Sequence, residues 1–543
     1  MKYIQTVLFV LAASIIISCG SVPNKKLSFK EQGIQESLLP VHPGIPGEVP
    51  FWNAYAKRFI YAPAFDFDII PEAKEYLFTI TSEVNSKTYQ FRNDNPYASL
   101  KPIWSELPVG FFKVEVSGLS EADEKIGKAG EGRYYHAAPF AGIYNTPQLD
   151  YDRSASLALE NLMQEDYVRY WLTHKKPDPY YLYYRYPTKM FSALVVGAVT
   201  YSRLKGETPE GKEAEKLAEI VADFLIGLSF DKGTPLEYFT PTYRGYEGLD
   251  AQFNKTSDTH MNTRNTMMPY GADAGHAYLD LYDLTGKDKY LEAARRIAET
   301  YVKTQLDNGS WYLFVDNETG ESTAPNIAIP TSTINYFNRL ENEYGVDNLN
   351  KSTQAALKWI MDNPVKTFNW QGQFEDVKAS LPFENQSREQ ACELAMYLFK
   401  NDTKTELAKE LVRFAEDQFV IWEKPIDIEI ELMEQNSSKL GYRSENWITP
   451  CVQEQYDWWM PVSRSAGIMI DTYWEAFMAT GNEIYLAKAR SIANSFTVVQ
   501  QAHNGDYPTY FTKYPMGVWL NNTVYPAKVM KNFHDRLESV ENM

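Results

Sequence analysis

The chain is poor in cysteine and histidine, with three Cys and seven His in 543 residues. Cys19 closes an N-terminal apolar run, which leaves only Cys392 and Cys451, too few for a disulfide framework. There is no HExxH, CxxC pair, P-loop or GxSxG, and the histidines are scattered. No protein-ligated metal, no cofactor and no serine-hydrolase elbow is therefore expected. Positive charge is also short. Fifty-three Lys and Arg against 71 Asp and Glu give a net charge of −18, the wrong sign for a nucleic-acid footprint. The apolar run from Tyr3 to Ile17 is about 15 residues long, short of the ~20 needed to span a bilayer.

That run follows Lys2 and ends in Ser18-Cys19-Gly20, the form of a bacterial lipoprotein signal. On this reading residues 1–18 are removed, Cys19 is acylated, and the lipid is the only membrane contact. Residues 19–50 are polar, contain Pro23, Pro40, Pro43 and Pro46, and read as a tether. The residues after Cys19, Gly-Ser-Val-Pro-Asn-Lys-Lys, lack an acidic cluster, which favours the periplasmic side of the outer membrane.

What is abundant is aromatic residues and helical repeats. The chain has 38 Tyr and 12 Trp, many in segments such as Tyr180 to Tyr186, and exposed rings suit the apolar faces of sugars. Residues 285–299 (TGKDKYLEAARRIAE) return as 480–494 (TGNEIYLAKARSIAN). Leu291, Ala294, Ile297, Ala298 and Tyr301 become Leu486, Ala489, Ile492, Ala493 and Phe496, one stripe of a helix in each copy. The repeating unit is a helical hairpin.

Twelve helices are predicted from residue 152 onward, near 152–174, 187–204, 210–229, 264–284, 287–306, 330–345, 350–362, 386–400, 403–420, 462–479, 482–501 and 524–540. Six hairpins close into a ring, and the long connections alternate with short ones, so one pole carries nearly all the loop mass. Ahead of them, short β-branched and aromatic runs between residues 57 and 135 predict a small antiparallel sandwich of fibronectin-III or immunoglobulin type. The expected fold class is mainly α, an (α/α)6 toroid over 150–543 preceded by a β-sandwich over 51–140.

The candidate chemistry is carboxylates among aromatics. The sharpest segment is Asn369 to Asp376, where Trp370 offers a sugar floor and Glu375 and Asp376 offer an acid. Burial beside rings raises a carboxyl pKa, as a general acid needs. A second segment, Trp447 to Trp459, holds Glu454 and Trp458, and a third pairs Glu416-Asp417 with Trp422-Glu423. Arg185, Arg388 and Arg464 fall near helix starts that should share the loop-rich pole, where Arg forks could take a uronate carboxylate. Tyr184 and Trp447 complete the expected binding surface.

The blocks Trp370 to Asp376, Phe414 to Phe419 and Pro450 to Tyr456 resemble the β-glucuronidases of glycoside hydrolase family 154. The whole layout is similar to the (α/α)6 glycan-active enzymes of Bacteroidota. The resemblance implies exo-acting release of glucuronic acid from uronic-acid-containing oligosaccharides. Two carboxyls would then flank the glycosidic bond, and the residue pattern assigns the acid to Glu375 or Asp376 and the second role to Glu454. One rival is a uronate lyase with Tyr184 or Tyr456 as base. The other is a non-catalytic glycan-capturing lipoprotein of the SusD type, built as an open helical stack. The sequence sets no oligomeric state.

Overall fold

A computed structural model describes residues 27–54, 56–244, 263–375, 389–423, 444–454, 460–515, 517 and 519–541. Cys19 and four site candidates, Asp376, Arg388, Tyr456 and Trp458, lie outside these residues.

The chain enters through helix α1 (Phe29–Glu36), which starts with a Ser28/Glu31 capping box. The expected tether is thus partly folded, and it is fastened down. The His42 amide donates to Glu410 at 2.8 Å, and Lys488 pairs with Glu36 at 2.7 Å.

Strands β1 (Arg58–Phe59), β2 (Glu75–Ser82) and β3 (Thr88–Asn93) come next, followed by helix α2 (Lys101–Trp104) and strands β4 (Gly110–Leu119) and β5 (Lys125–His136). They form one sheet in the order β1-β5-β4-β2-β3. This corrects the predicted sandwich: the module is a single sheet curved as a half-barrel. The alternation that suggested a sandwich is real, since β2 buries every second residue. A sheet with one covered face needs that pattern whatever covers it. Here the core is Phe59, Phe65, Trp104, Phe112 and Tyr134, continuous with the helical core.

The sheet is fastened to the helical part of the chain at Asp417 and Val420. The amides of Ile60 and Tyr61 donate to Asp417 Oδ1 at 2.6 and 2.8 Å, and Arg58 donates to the Val420 carbonyl at 2.9 Å.

The first predicted helix is broken at Glu165, whose ψ of 136° is extended. It becomes α3 (Tyr151–Gln164) and α4 (Asp166–His174). Then follow α5 (Pro187–Lys205), α6 (Pro209–Gly227), α7 (Tyr270–Thr285), α8 (Asp288–Thr304), α9 (Thr331–Tyr344) and α10 (Asn350–Ile360). The last are α11 (Glu389–Lys400), α12 (Thr405–Phe419), α13 (Ser463–Thr480), α14 (Glu483–Ala502) and α15 (Asn521–Glu541). Short strands β6 (Asn265–Met267) and β7 (Phe314–Asp316) pair with each other, as do β8 (Val420–Ile421) and β9 (Cys451–Val452).

Helices α5, α7, α9, α11, α13 and α15 each pack on the next, and α15 returns to α5. This is a closed inner ring of six. Helices α6, α8, α10, α12 and α14 pack outside their own hairpin partners, and α3 backs α15. The chain is therefore an (α/α)6 toroid, and its closure excludes the open helical stack of the capture-protein alternative.

Inner helix α5 is buried all round from Pro187 to Ser202, while outer helix α8 buries the predicted stripe Leu291, Ala294, Ile297, Ala298 and Tyr301. Close approach between inner helices uses Gly275 of α7, where a Cβ would lie 2.3 Å from the Tyr336 ring of α9. The connections that leave outer helices run through 228–269, 305–330, 366–388, 420–462 and 503–520, whereas those leaving inner helices span only 206–208, 286–287, 345–349, 401–404 and 481–482. The long ones all reach the N-terminal ends of inner helices, as the sequence predicts. No helix among the described residues is long and apolar enough to cross a membrane.

Candidate active site

Because every inner helix starts at the loop-rich pole, six first turns converge there. They line a cavity of about 180 Å³. Lys189 comes from α5, Asp273 from α7, Ser332 from α9, Glu389 and Glu393 from α11, and Arg464 from α13, with Asn521 and Asn522 from α15. The loops contribute Phe374 and Glu375, Glu454, and the rings of Tyr510 and Trp519. Proline sets several of these starts: Pro187 opens α5, and Pro269 and Pro330 precede α7 and α9.

Among the described residues, five carboxyl groups, Asp273, Glu375, Glu389, Glu393 and Glu454, share the cavity with two cations. Lys189 Nζ meets Glu375 Oε1 at 2.5 Å, and Arg464 meets Glu389 at 2.6 Å. Thr331 Oγ1 donates to Glu393 at 2.6 Å.

Burial keeps protons on two of these acids. Asp273 lines the cavity, and burial pushes its pKa up to about 6. Arg464 and Lys189 oppose that rise, and Glu389 adds to it. Burial and then the neighbouring Glu389 raise the Glu393 carboxyl too. The Lys189 pKa is raised as well, but by a partner: burial disfavours its charge, and Glu375 beside it more than restores it.

Three of the sequence candidates meet here, Glu375, Glu454 and Arg464. The others described do not line the cavity. Trp370 has no exposed surface and lies between Phe368 and Phe414, with ring centroids 5.9 and 6.3 Å away. It is core beneath the loop, not a sugar floor. Tyr184 is equally buried, accepting from Trp171 Nε1 at 2.9 Å, so it cannot serve as a lyase base. Trp447 is buried in the loop layer. Arg185 is buried just ahead of α5, where its carbonyl accepts from the Arg244 amide at 2.9 Å. The Glu416-Asp417 cluster is structural as well. Asp417 holds the sheet, and Glu416 binds Lys488 at 2.7 Å, with Tyr473 and Trp422 at 3.0 Å.

The residue pattern missed Lys189, Asp273, Glu389 and Glu393. A usable signal was present for the first. Lys189 is the one charged residue between Arg185 and Arg203, in a helix otherwise fit for burial on all sides. His276, one turn below Asp273, is kept neutral: burial, then Arg339, pulls its pKa down to about 3. Among the described residues, only His534, Asp535 and Glu538 come within reach of a common metal ion. They lie near the C-terminal end of α15, at the pole away from the cavity.

No family model matches the sequence, and no curated protein matches it. Solved structures do align with the fold. A family 76 glycoside hydrolase from a bovine Bacteroides thetaiotaomicron strain aligns at a TM-score of 0.48 and 10% identity, over 89% of this chain and 97% of that one. The cellobiose 2-epimerase of Spirochaeta thermophila aligns at 0.46 and 11% identity, over 71% and 98%. An unsaturated glucuronyl hydrolase specific for heparin aligns at 0.42 and 11% identity, over 72% and 97%.

Proposed function

We propose that the protein is a glycoside hydrolase acting at the loop-rich pole of the ring, with Asp273 as general acid. The observation that carries this reading is the cavity itself. It holds a carboxyl that keeps its proton up to about pH 6 beside an ion-paired carboxylate, Glu375, on a wall of sugar-sized rings. A glycosidase needs two such groups in unlike protonation states.

The acid role therefore moves from Glu375 to Asp273. A carboxyl with an ammonium at 2.5 Å is poorly placed to give up a proton. Asp273 would protonate the leaving oxygen, and Glu375 or Glu454 would activate water or attack the anomeric carbon. Trp519 and Tyr510 would stack on the apolar face of the sugar.

The family 154 resemblance makes a glucuronide the first substrate to try. Against it, both described cavity cations, Lys189 and Arg464, are already paired with carboxylates. A neutral glycoside belongs in the same assay. We further propose, from the Ser18-Cys19-Gly20 signal, that the enzyme is lipid-tethered on the periplasmic side of the outer membrane.

The test is incubation of the mature protein with glucuronic-acid-capped and neutral oligosaccharides, following reducing sugar and ultraviolet absorbance together. Free monosaccharide without new absorbance, lost in Asp273→Asn, supports the hydrolase. New absorbance would mean elimination instead, and binding without either signal would mean a capture protein.

A further inference from the structure

Lys189 breaks the local rules of the helix that carries it. It lies in the first turn of α5, where the helix dipole disfavours a cation. It is only 7% exposed, and loss of water disfavours any charge. Arg464 adds repulsion from the same cavity. Four rings surround the ammonium, Trp519 at 4.9 Å, Tyr186 at 5.8 Å, Phe374 at 5.9 Å and Tyr270 at 6.0 Å. Ring faces attract a cation but do not replace its hydration. The charge is held chiefly by Glu375 at 2.5 Å, with Glu454 adding to the field.

A buried ion pair is a poor stabilising device, since apolar side chains of similar volume often do as well or better. Lys189 and Glu375 both line the cavity. A rule broken at a cavity wall marks function more often than stability.

Building on the hydrolase reading above, we propose that Lys189 is a positioning residue that holds Glu375 as a carboxylate, fixed on the cavity wall, for the step that needs a base or nucleophile. In that reaction the bond from the anomeric carbon to the leaving oxygen breaks, and Asp273 supplies the proton the oxygen needs. Glu375 either takes a proton from the water that bonds to the anomeric carbon or forms that bond itself, to be displaced by water later. Lys189 forms no bond and gives up no proton. The other charged groups that line the cavity with Glu375 are Arg464 on α13, Asp273 on α7, Glu389 and Glu393 on α11, and Glu454 in its loop. Without Lys189, Arg464 is the single described cation among them.

The experiment compares Lys189→Met, Lys189→Gln and Lys189→Arg in the full chain. For Met and Gln, kcat should fall on the order of 100-fold with KM nearly unchanged. The acid limb of kcat/KM should move up by about one pH unit or more, because Glu375 then keeps its proton longer. Lys189→Arg should restore the limb and most of kcat. A second readout needs no substrate: the carbon-13 carboxyl signal of Glu375, identified by its loss in Glu375→Gln, should titrate higher in Lys189→Met. Folded variants with an unmoved limb and an unmoved carbon-13 titration overturn the proposal. So does a failure of both neutral variants to fold, which would make Lys189 structural. If the wild type hydrolyses no glycoside, the hydrolase reading has failed, while the carbon-13 titration still decides whether Lys189 governs Glu375.

Discussion

Asp273 and Asp280 stand seven residues apart on α7, two turns down the same helix, and behave oppositely. Asp280 is 4% exposed, and burial alone would raise its pKa, yet it is held down to about 2. Lys528 at 2.5 Å and Arg339 at 2.9 Å outweigh the burial. The Asp273 carboxyl is as deeply buried and is pushed up to about 6. Depth is therefore not what separates the two carboxyls. The number of cations in contact decides. At the closed end of the ring, cations from α9 and α15 neutralise Asp280. At the open end, the two described cavity cations contact other acids, Glu375 and Glu389, and burial keeps the proton on Asp273.

The comparison predicts its own breaking points. Asp273→Asn should abolish turnover, by roughly 10²–10⁴-fold, while leaving the fold intact, as measured by kcat and circular dichroism. Loss of the fold instead would put Asp273 in the same class as Asp280.

Asp280→Ala should do the reverse. It strands Lys528 beside Arg339, which keeps Asp283 and Glu343 as partners. It should cost about 3 kcal/mol in denaturant unfolding, with the active site of the folded fraction unaffected.

A subtler difference is the sign of each pH dependence. The folded Asp273 keeps a proton that the unfolded chain releases above about pH 4, so its contribution to stability falls as pH rises from about 4 to 6. Relative to wild type, Asp273→Asn should gain stability across that window, by up to roughly 3 kcal/mol, and stay level above it. Asp280, with its depressed pKa, contributes stability that is present above about pH 4 and lost as pH falls toward 2. Unfolding free energies measured at several pH values would show parallel curves for wild type and Asp273→Asn if this is wrong. The smallest effect should come from Trp519→Ala, which removes a ring from the cavity wall. KM should rise about tenfold, or ~1.4 kcal/mol, with kcat little changed.

Much of the ring was legible because the helical period survives local detail. The apolar stripe at 291–301 is the buried one in the first copy, and in the second Ala489, Ile492, Ala493 and Phe496 are buried with Leu486 partly so. The alternation of long and short connections also located the pole that carries the cavity. The sheet was misread because a one-faced sheet and half of a sandwich write the same alternation into β2, and only the neighbours differ.

The site was harder. Trp370 and Tyr184 were singled out for their chemistry, but a large ring next to polar residues is as good a core residue as a binding one. Glu375, Glu454 and Arg464 were found from loop composition and one helix start. Asp273, Glu389 and Glu393 look in sequence like ordinary acids in a chain that has 71 of them.

By itself, then, the sequence determined the ring of helical hairpins, its repeat and the pole at which loops collect, since each is written in spacing between near neighbours. Tertiary structure decided which charges meet. Lys189 and Glu375 are 186 residues apart, and Arg464 and Glu389 are 75 apart. Whether a carboxyl is an acid or a carboxylate depends on such partners, and closure of the ring is what brings them within contact.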